Sequence, residues 1–234
     1  MKSIISVVAM LSGILLFSAC SSNEIGESKD VAQEKIYQSH SFSYTEGDAD
    51  VKLFSQFRFG GKNGTTLVLN APSAVQLDGT KLTVDSSDAL GAFYQATKPA
   101  NSFFGKHLVV FTNTEGKNIE NNFTFDPFKL VNVPASVSKK QSFTINFESG
   151  TFDGDDYIEI TATNTDSSFS ITHNLNNGGN TITIPAKDLQ RQNGNELTLQ
   201  ASLYQNLSLQ QNTVEGGRIG IEYNLKPIKI KLTN

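Results

Sequence analysis

Apolar and polar positions alternate along most of this chain with a period of two, the period of a strand with one buried face. Val51, Leu53, Phe57 and Phe59 fall on one side of their segment, and Lys52, Gln56 and Arg58 on the other. Thr65 to Asn70 carries the short apolar run Leu67-Val68-Leu69, which suits a central strand. Val75 and Leu77 lead through Asp78-Gly79 to Leu82 and Val84, a hairpin marked by a dipeptide that accepts positive φ. Gly91 to Ala96, Leu108 to Thr112 and Asn122 to Phe125 complete a first set. A second set is more regular: Phe143-Ile145-Phe147, Ile158-Ile160-Ala162, Phe169-Ile171-His173-Leu175, Ile182-Ile184, Leu197-Leu199-Ala201-Leu203, Ile219-Ile221-Tyr223 and Ile228-Ile230-Leu232. The one helical pattern is a single turn from Ala186 to Gln192, stopped by Asn193-Gly194.

Many short strands separated by turn residues every 8 to 12 positions or so predict an all-β sandwich or barrel. The pattern breaks at Val131-Asn132-Val133-Pro134, an extended X-Pro step, which divides the body into residues 36–132 and 133–234. Each part, at about 100 residues, is long enough to close its own core. In the second part, Thr183-Ile184-Pro185, Leu189, Gly194 and Leu197-Thr198-Leu199 resemble the corner before the penultimate strands of bacterial immunoglobulin-like domains. The fold expected is therefore two tandem immunoglobulin-like β-sandwich domains.

The chain begins differently. Lys2 is followed by a charge-free, largely apolar run from Ile4 to Phe17 and then by Ser18-Ala19-Cys20, which holds the only cysteine. The run is shorter than the roughly 20 residues a membrane-crossing helix needs, and it suits a cleaved export signal. It resembles the signal of a bacterial lipoprotein, which implies removal of residues 1–19 and lipidation of Cys20. Ser21 to Lys35 is polar and acidic, so residues 20–35 are expected as a flexible tether. Together the layout is similar to envelope lipoproteins of the Bacteroidota. That resemblance implies attachment to a membrane through lipid, in the outer membrane facing either side, and a binding or scaffold role toward envelope proteins or glycans.

Composition narrows the chemistry. The net charge of −4 gives no basic face for nucleic acid. His40, His107 and His173 are far apart, and none has the close histidine partner of a metal pair. Gly-x-Ser-x-Gly elbows and phosphate-cradling Gly-Lys-Ser/Thr loops are absent, and with Cys20 assigned to lipid a thiol nucleophile is excluded. These observations predict a non-catalytic protein without a cofactor. The one dense acidic cluster is Asp153, Asp155 and Asp156 around Gly154. Such carboxylates can supply oxygens to calcium, but the spacing of a calcium loop is missing and a solvated turn is the simpler expectation.

Glycan sites present exposed aromatic rings. This chain has 16 Phe and no Trp, which leaves Phe93-Tyr94, Phe103-Phe104, Phe152, Tyr157 and Tyr204 as platforms. Phe103, Phe104 and Tyr94 lead that group, because two adjacent aromatic residues in a strand face opposite sides. The alternative for the Phe pair is burial under a covering loop. A third role, a pilin-like or adhesin-like subunit, would need an open strand edge. The outward Lys229 and Lys231 of the last strand read as protection of such an edge.

Overall fold

The computed structural model describes residues 24–150, 152, 155–175 and 178–234. The chain is all-β, with layered sheets. The strands before the Pro134 step are β1 (Ile25–Glu27), β2 (Ile36–Thr45), β3 (Asp50–Phe59), β4 (Thr65–Val68), β5 (Ala74–Leu77), β6 (Thr80–Lys81), β7 (Val84–Ser87), β8 (Gly91–Pro99), β9 (Gly105–Thr112), β10 (Asn118–Phe125) and β11 (Lys129–Val131). After it come β12 (Ser136–Ser138), β13 (Phe143–Glu148), β14 (Tyr157–Thr163), β15 (Ser168–Asn174), β16 (Thr181–Ile184), the helical turn α1 (Ala186–Leu189), β17 (Glu196–Ser208), β18 (Gly217–Asn224) and β19 (Ile228–Thr233).

A 12-stranded sheet is the spine, in the order β1-β4-β3-β2-β18-β17-β14-β15. Strands β8 and β7 continue it from β3, and β19 and β12 from β17. Two smaller sheets, β10-β9-β5-β6 and β11-β13-β16, cover one face. Aromatic rings seat the first cover: Phe57 of β3 lies 4.7 Å from Phe111 of β9, and Phe42 of β2 lies 4.3 Å from Phe123 of β10. The second cover sits on the far half, where Phe147 of β13 meets His173 of β15 at 5.7 Å. The register puts Tyr44, Tyr223, Leu203, Ile158 and His173 side by side across the spine, so both covers lie on the same face.

The expected division at 132/133 does not divide the spine. Strand β2 from the first part pairs in parallel with β18 from the second over eight positions, Gln38↔Gly217 to Thr45↔Asn224. Buried apolar side chains form one cluster through both parts. Tyr44 and Tyr223 meet edge to face across this joint at 5.0 Å, and Phe125 and Phe128 pack on Tyr223. The sequence pattern hides the joint because the inward positions of β2 are Ile36, Gln38, His40, Phe42 and Tyr44, and two polar residues interrupt the apolar face.

Two further expectations change. The tether of residues 20–35 is docked from Ile25 onward, where β1 pairs in parallel with β4. Ser28 is fully buried, its Oγ accepts from the Asn70 N–H at 2.8 Å, and Gln33 Oε1 accepts from the Thr114 N–H at 3.1 Å. A polar stretch can dock this way because its backbone satisfies the free edge of β4. The last strand is likewise not an edge: β19 lies between β17 and β12, and Lys229 pairs with Glu196 at 2.7 Å. The hairpin at Asp78-Gly79 forms, with φ of 50° and 76°.

Candidate functional site

The uncovered face of the spine carries the site. Outward residues from neighbouring strands line up in rows across it. One row runs Tyr157, Tyr204, Glu222, Ser43 and Lys52, and the next runs Asn206, Gly220, Ser41, Phe54 and Gln95. Gly220 and the small serines leave a trough where the two parts of the chain join, while larger side chains rise on either side. The result is an open groove of about 610 Å³, lined among others by Ser41, Ser43, Tyr204, Asn206, Gly220 and Glu222.

Each wall holds a stacked aromatic pair. Tyr157 and Tyr204 are directly opposed on β14 and β17, with ring centroids 4.9 Å apart and planes at 22°. Phe54 of β3 stacks on Phe93 of β8 at 5.1 Å and 26°. Three strand-to-strand steps separate Tyr204 from Phe54, a width of about 14 Å. Burial, assisted by the Glu222 carboxylate, raises the Tyr204 phenol above its ordinary value, so it stays a neutral donor and acceptor. Asp156 holds the tyrosine wall in place. Its Oδ1 accepts from the Asn206 N–H at 2.8 Å and its Oδ2 from Gln205 Nε2 at 3.2 Å, so the residue before Tyr157 is clipped to the two residues after Tyr204.

That role corrects the acidic loop. Asp156 is 1 % exposed and directed inward, whereas Asp155 lies exposed in the turn; Asp153 is outside the described residues. Among the described residues no group of three or more His, Cys, Asp or Glu is placed to hold a metal ion. Cys20 is also outside the described residues.

The leading aromatic candidates are elsewhere. Tyr94 is a core residue whose hydroxyl accepts from the Leu69 N–H at 2.6 Å, and burial raises its phenol. Phe103 follows a 3-10 turn rather than sitting in a strand, and it is buried with its ring 3.9 Å from His107. His107 in turn bonds Asp78 through Nδ1 at 2.8 Å and the Phe103 carbonyl through Nε2. Phe104 is 38 % exposed and leans on Tyr44 and Phe125, on the covered side of the spine. None of the three reaches the groove. Tyr157 and Tyr204 do line it, and Phe93, itself buried, backs Phe54 of the opposite wall. The sequence has no means of ranking them above the others, because their neighbours come from strands far apart in the chain.

No protein-family model matches this chain, and no curated protein is similar to it. The groove therefore stands on its own chemistry: hydroxyls and an amide on the floor, stacked rings on both walls, and one carboxylate among the described lining residues.

Proposed function

We propose that this protein is a lipid-anchored, non-catalytic binding module of the cell envelope that takes a polysaccharide along the open face of its spine. The observation that carries this reading is the pairing of a floor of Ser41, Ser43 and Asn206 with the Tyr157–Tyr204 and Phe54–Phe93 stacks. Sugar rings have apolar faces that pack on aromatic rings and hydroxyl rims that need donors and acceptors, and this groove offers both. Hydrolysis would call for two carboxylates flanking one bond, and Glu222 has no such companion among the described lining residues. The architecture reads as two immunoglobulin-like halves fused edge to edge. The export signal and Cys20 support attachment to the outer membrane by lipid, with the groove free for a ligand.

Isothermal titration and affinity electrophoresis against neutral and acidic polysaccharides test the binding reading. Tyr204→Ala should weaken whatever polymer binds by about twofold to tenfold, the scale of one aromatic stacking contact. Binding of no polysaccharide, or binding indifferent to both Tyr157→Ala and Tyr204→Ala, would refute it. For the anchor, Cys20→Ala should move the protein from the membrane fraction to the soluble one.

A further inference from the structure

The groove continues past Gly220. One row further along the strands, Arg218 of β18 lies across from Ser39 of β2, and Ser39 across from Gln56 of β3; in the row after that Tyr37 faces Arg58. Here the groove opens into a second cavity of about 350 Å³, which shares Ser39, Gln56 and Arg218 with it and adds Tyr37, Arg58 and Lys62.

Three cations meet in this cleft, and no carboxylate is among its described lining residues. That is unexpected on a chain whose net charge is −4. Lys62 and Arg218 are exposed and form no ion pair with any described residue. Arg58 is 9 % exposed and held in a fixed pose, Nη1 donating to the Gly64 carbonyl and Nη2 to Gln56 Oε1, both at 2.9 Å. Lys62 and Arg218 are like charges sharing one cleft, so they repel each other, and the repulsion is relieved when an anion enters. Guanidinium groups suit planar or tetrahedral oxyanions because their N–H donors form a rigid fork.

We propose that the ligand is an acidic polysaccharide, the carboxylate or sulfate of one sugar seated on Lys62 and Arg218 beside Arg58, with adjoining sugars over Ser41 and Gly220. This rests on the groove reading above and names the ligand class for it. Tyr37 and Ser39 border the cleft and add a ring and a hydroxyl for the charged sugar.

The test measures binding of polygalacturonate, dextran sulfate and neutral dextran to the wild type, to a Lys62→Gln/Arg218→Gln double variant and to Tyr204→Ala. Both substituted cations are exposed, so the double variant should fold. At least one acidic polymer should bind tenfold or more tighter than dextran, and which one does separates carboxylate from sulfate. The double variant should lose tenfold or more on the acidic polymer alone, the scale of charge-assisted contacts. Raising salt from 0.1 M to 1 M should weaken acidic binding, as the screening length falls from about 10 Å to about 3 Å. If dextran binds as well as the acidic polymers and the double variant is unchanged, the acidic-ligand inference is overturned while the groove reading survives. If acidic binding is lost in the double variant but untouched by Tyr204→Ala, the cleft acts apart from the groove and the joint proposal fails. If nothing binds, both fall.

Discussion

Acid should destabilise this protein through one histidine. His40 lies on the covered face of β2 with no exposed surface, its Nδ1 at 2.9 Å from Ser55 Oγ and its ring edge-on to Phe57 at 5.8 Å. Its Nε2 is buried with no hydrogen-bond partner among the described residues, as are both amide atoms of the neighbouring Gln38. A proton added at Nε2 would place a charge where nothing solvates it, and burial accordingly lowers the His40 pKa from 6.5 to about 4. Above pH 6.5 the ring is neutral folded and unfolded, and the stability is undiminished. Between 6.5 and 4 the unfolded chain binds the proton and the folded chain does not, so stability falls as pH falls, and the loss is complete below about 4. At about 1.4 kcal/mol per unit, a shift of that size corresponds to about 3 kcal/mol, a large share of the 5–15 or so that small domains possess.

Urea denaturation at several values between pH 7.5 and pH 4, on the wild type and on His40→Asn, isolates this effect. The variant keeps a side-chain group able to bond Ser55 but cannot take up the proton. It should be less stable than the wild type at pH 7.5, since it loses the ring packing on Phe57. The gap between the two should then close or reverse by about 3 kcal/mol on acidification, while contributions from carboxylates and from the other two histidines cancel in the difference. Parallel loss of stability in both proteins would refute the argument, as would an NMR titration of His40 with a midpoint near 6.5.

Three other outcomes follow from the same packing. A fragment from Ser136 to Asn234 should lack cooperative thermal unfolding as a monomer or should dimerise, because removing β2 bares eight residues of β18; adding the complementary fragment should restore the transition. Gly220→Thr should leave stability nearly unchanged in a urea melt yet abolish glycan binding, since a Cβ there meets nothing nearer than the His40 carbonyl at 4.0 Å while the side chain fills the trough. Asp156→Ala should cost about 1–3 kcal/mol, measured the same way, by leaving the Asn206 N–H and the Gln205 amide without their acceptor.

What could be read from the sequence was local. Alternation placed β3, β13, β14, β18 and β19, and Asp78-Gly79 placed a hairpin, because each signal lies within a few consecutive residues. Strand β2 was illegible for a physical reason: Gln38 and His40 sit at inward positions, a costly arrangement that apolar patterning does not anticipate. The aromatic residues show the same limit at the level of the site. Tyr94 and Phe103 are as conspicuous in the chain as Tyr157 and Tyr204, and only the register between β14 and β17 stacks the latter pair on the open face. Asp156 looked like turn chemistry, and what it does depends on a strand about 50 residues away.

The strand that hides from the pattern is also the one that makes the site. Pairing β2 with β18 joins the two halves of the chain, and it sets Ser39, Ser41 and Ser43 beside Arg218, Gly220 and Glu222. Small side chains on both sides of the joint form the floor of the groove, while the rings of the walls come from the outer strands, one from each half. Neither half holds a groove by itself, since the first lacks Tyr157 and Tyr204 and the second lacks Phe54 and Phe93. The Gln38 amide and His40 Nε2, which have no hydrogen-bond partner among the described residues, lie directly beneath that floor, on the opposite face of the same strand. A β2 that exchanged these two residues for apolar ones should gain stability without altering the groove, because inward and outward positions alternate and the substitutions touch only the covered face. If Gln38→Leu instead weakened ligand binding, the floor would depend on the buried polar pair as well as on the outward serines, and stability and recognition would be coupled through this one strand.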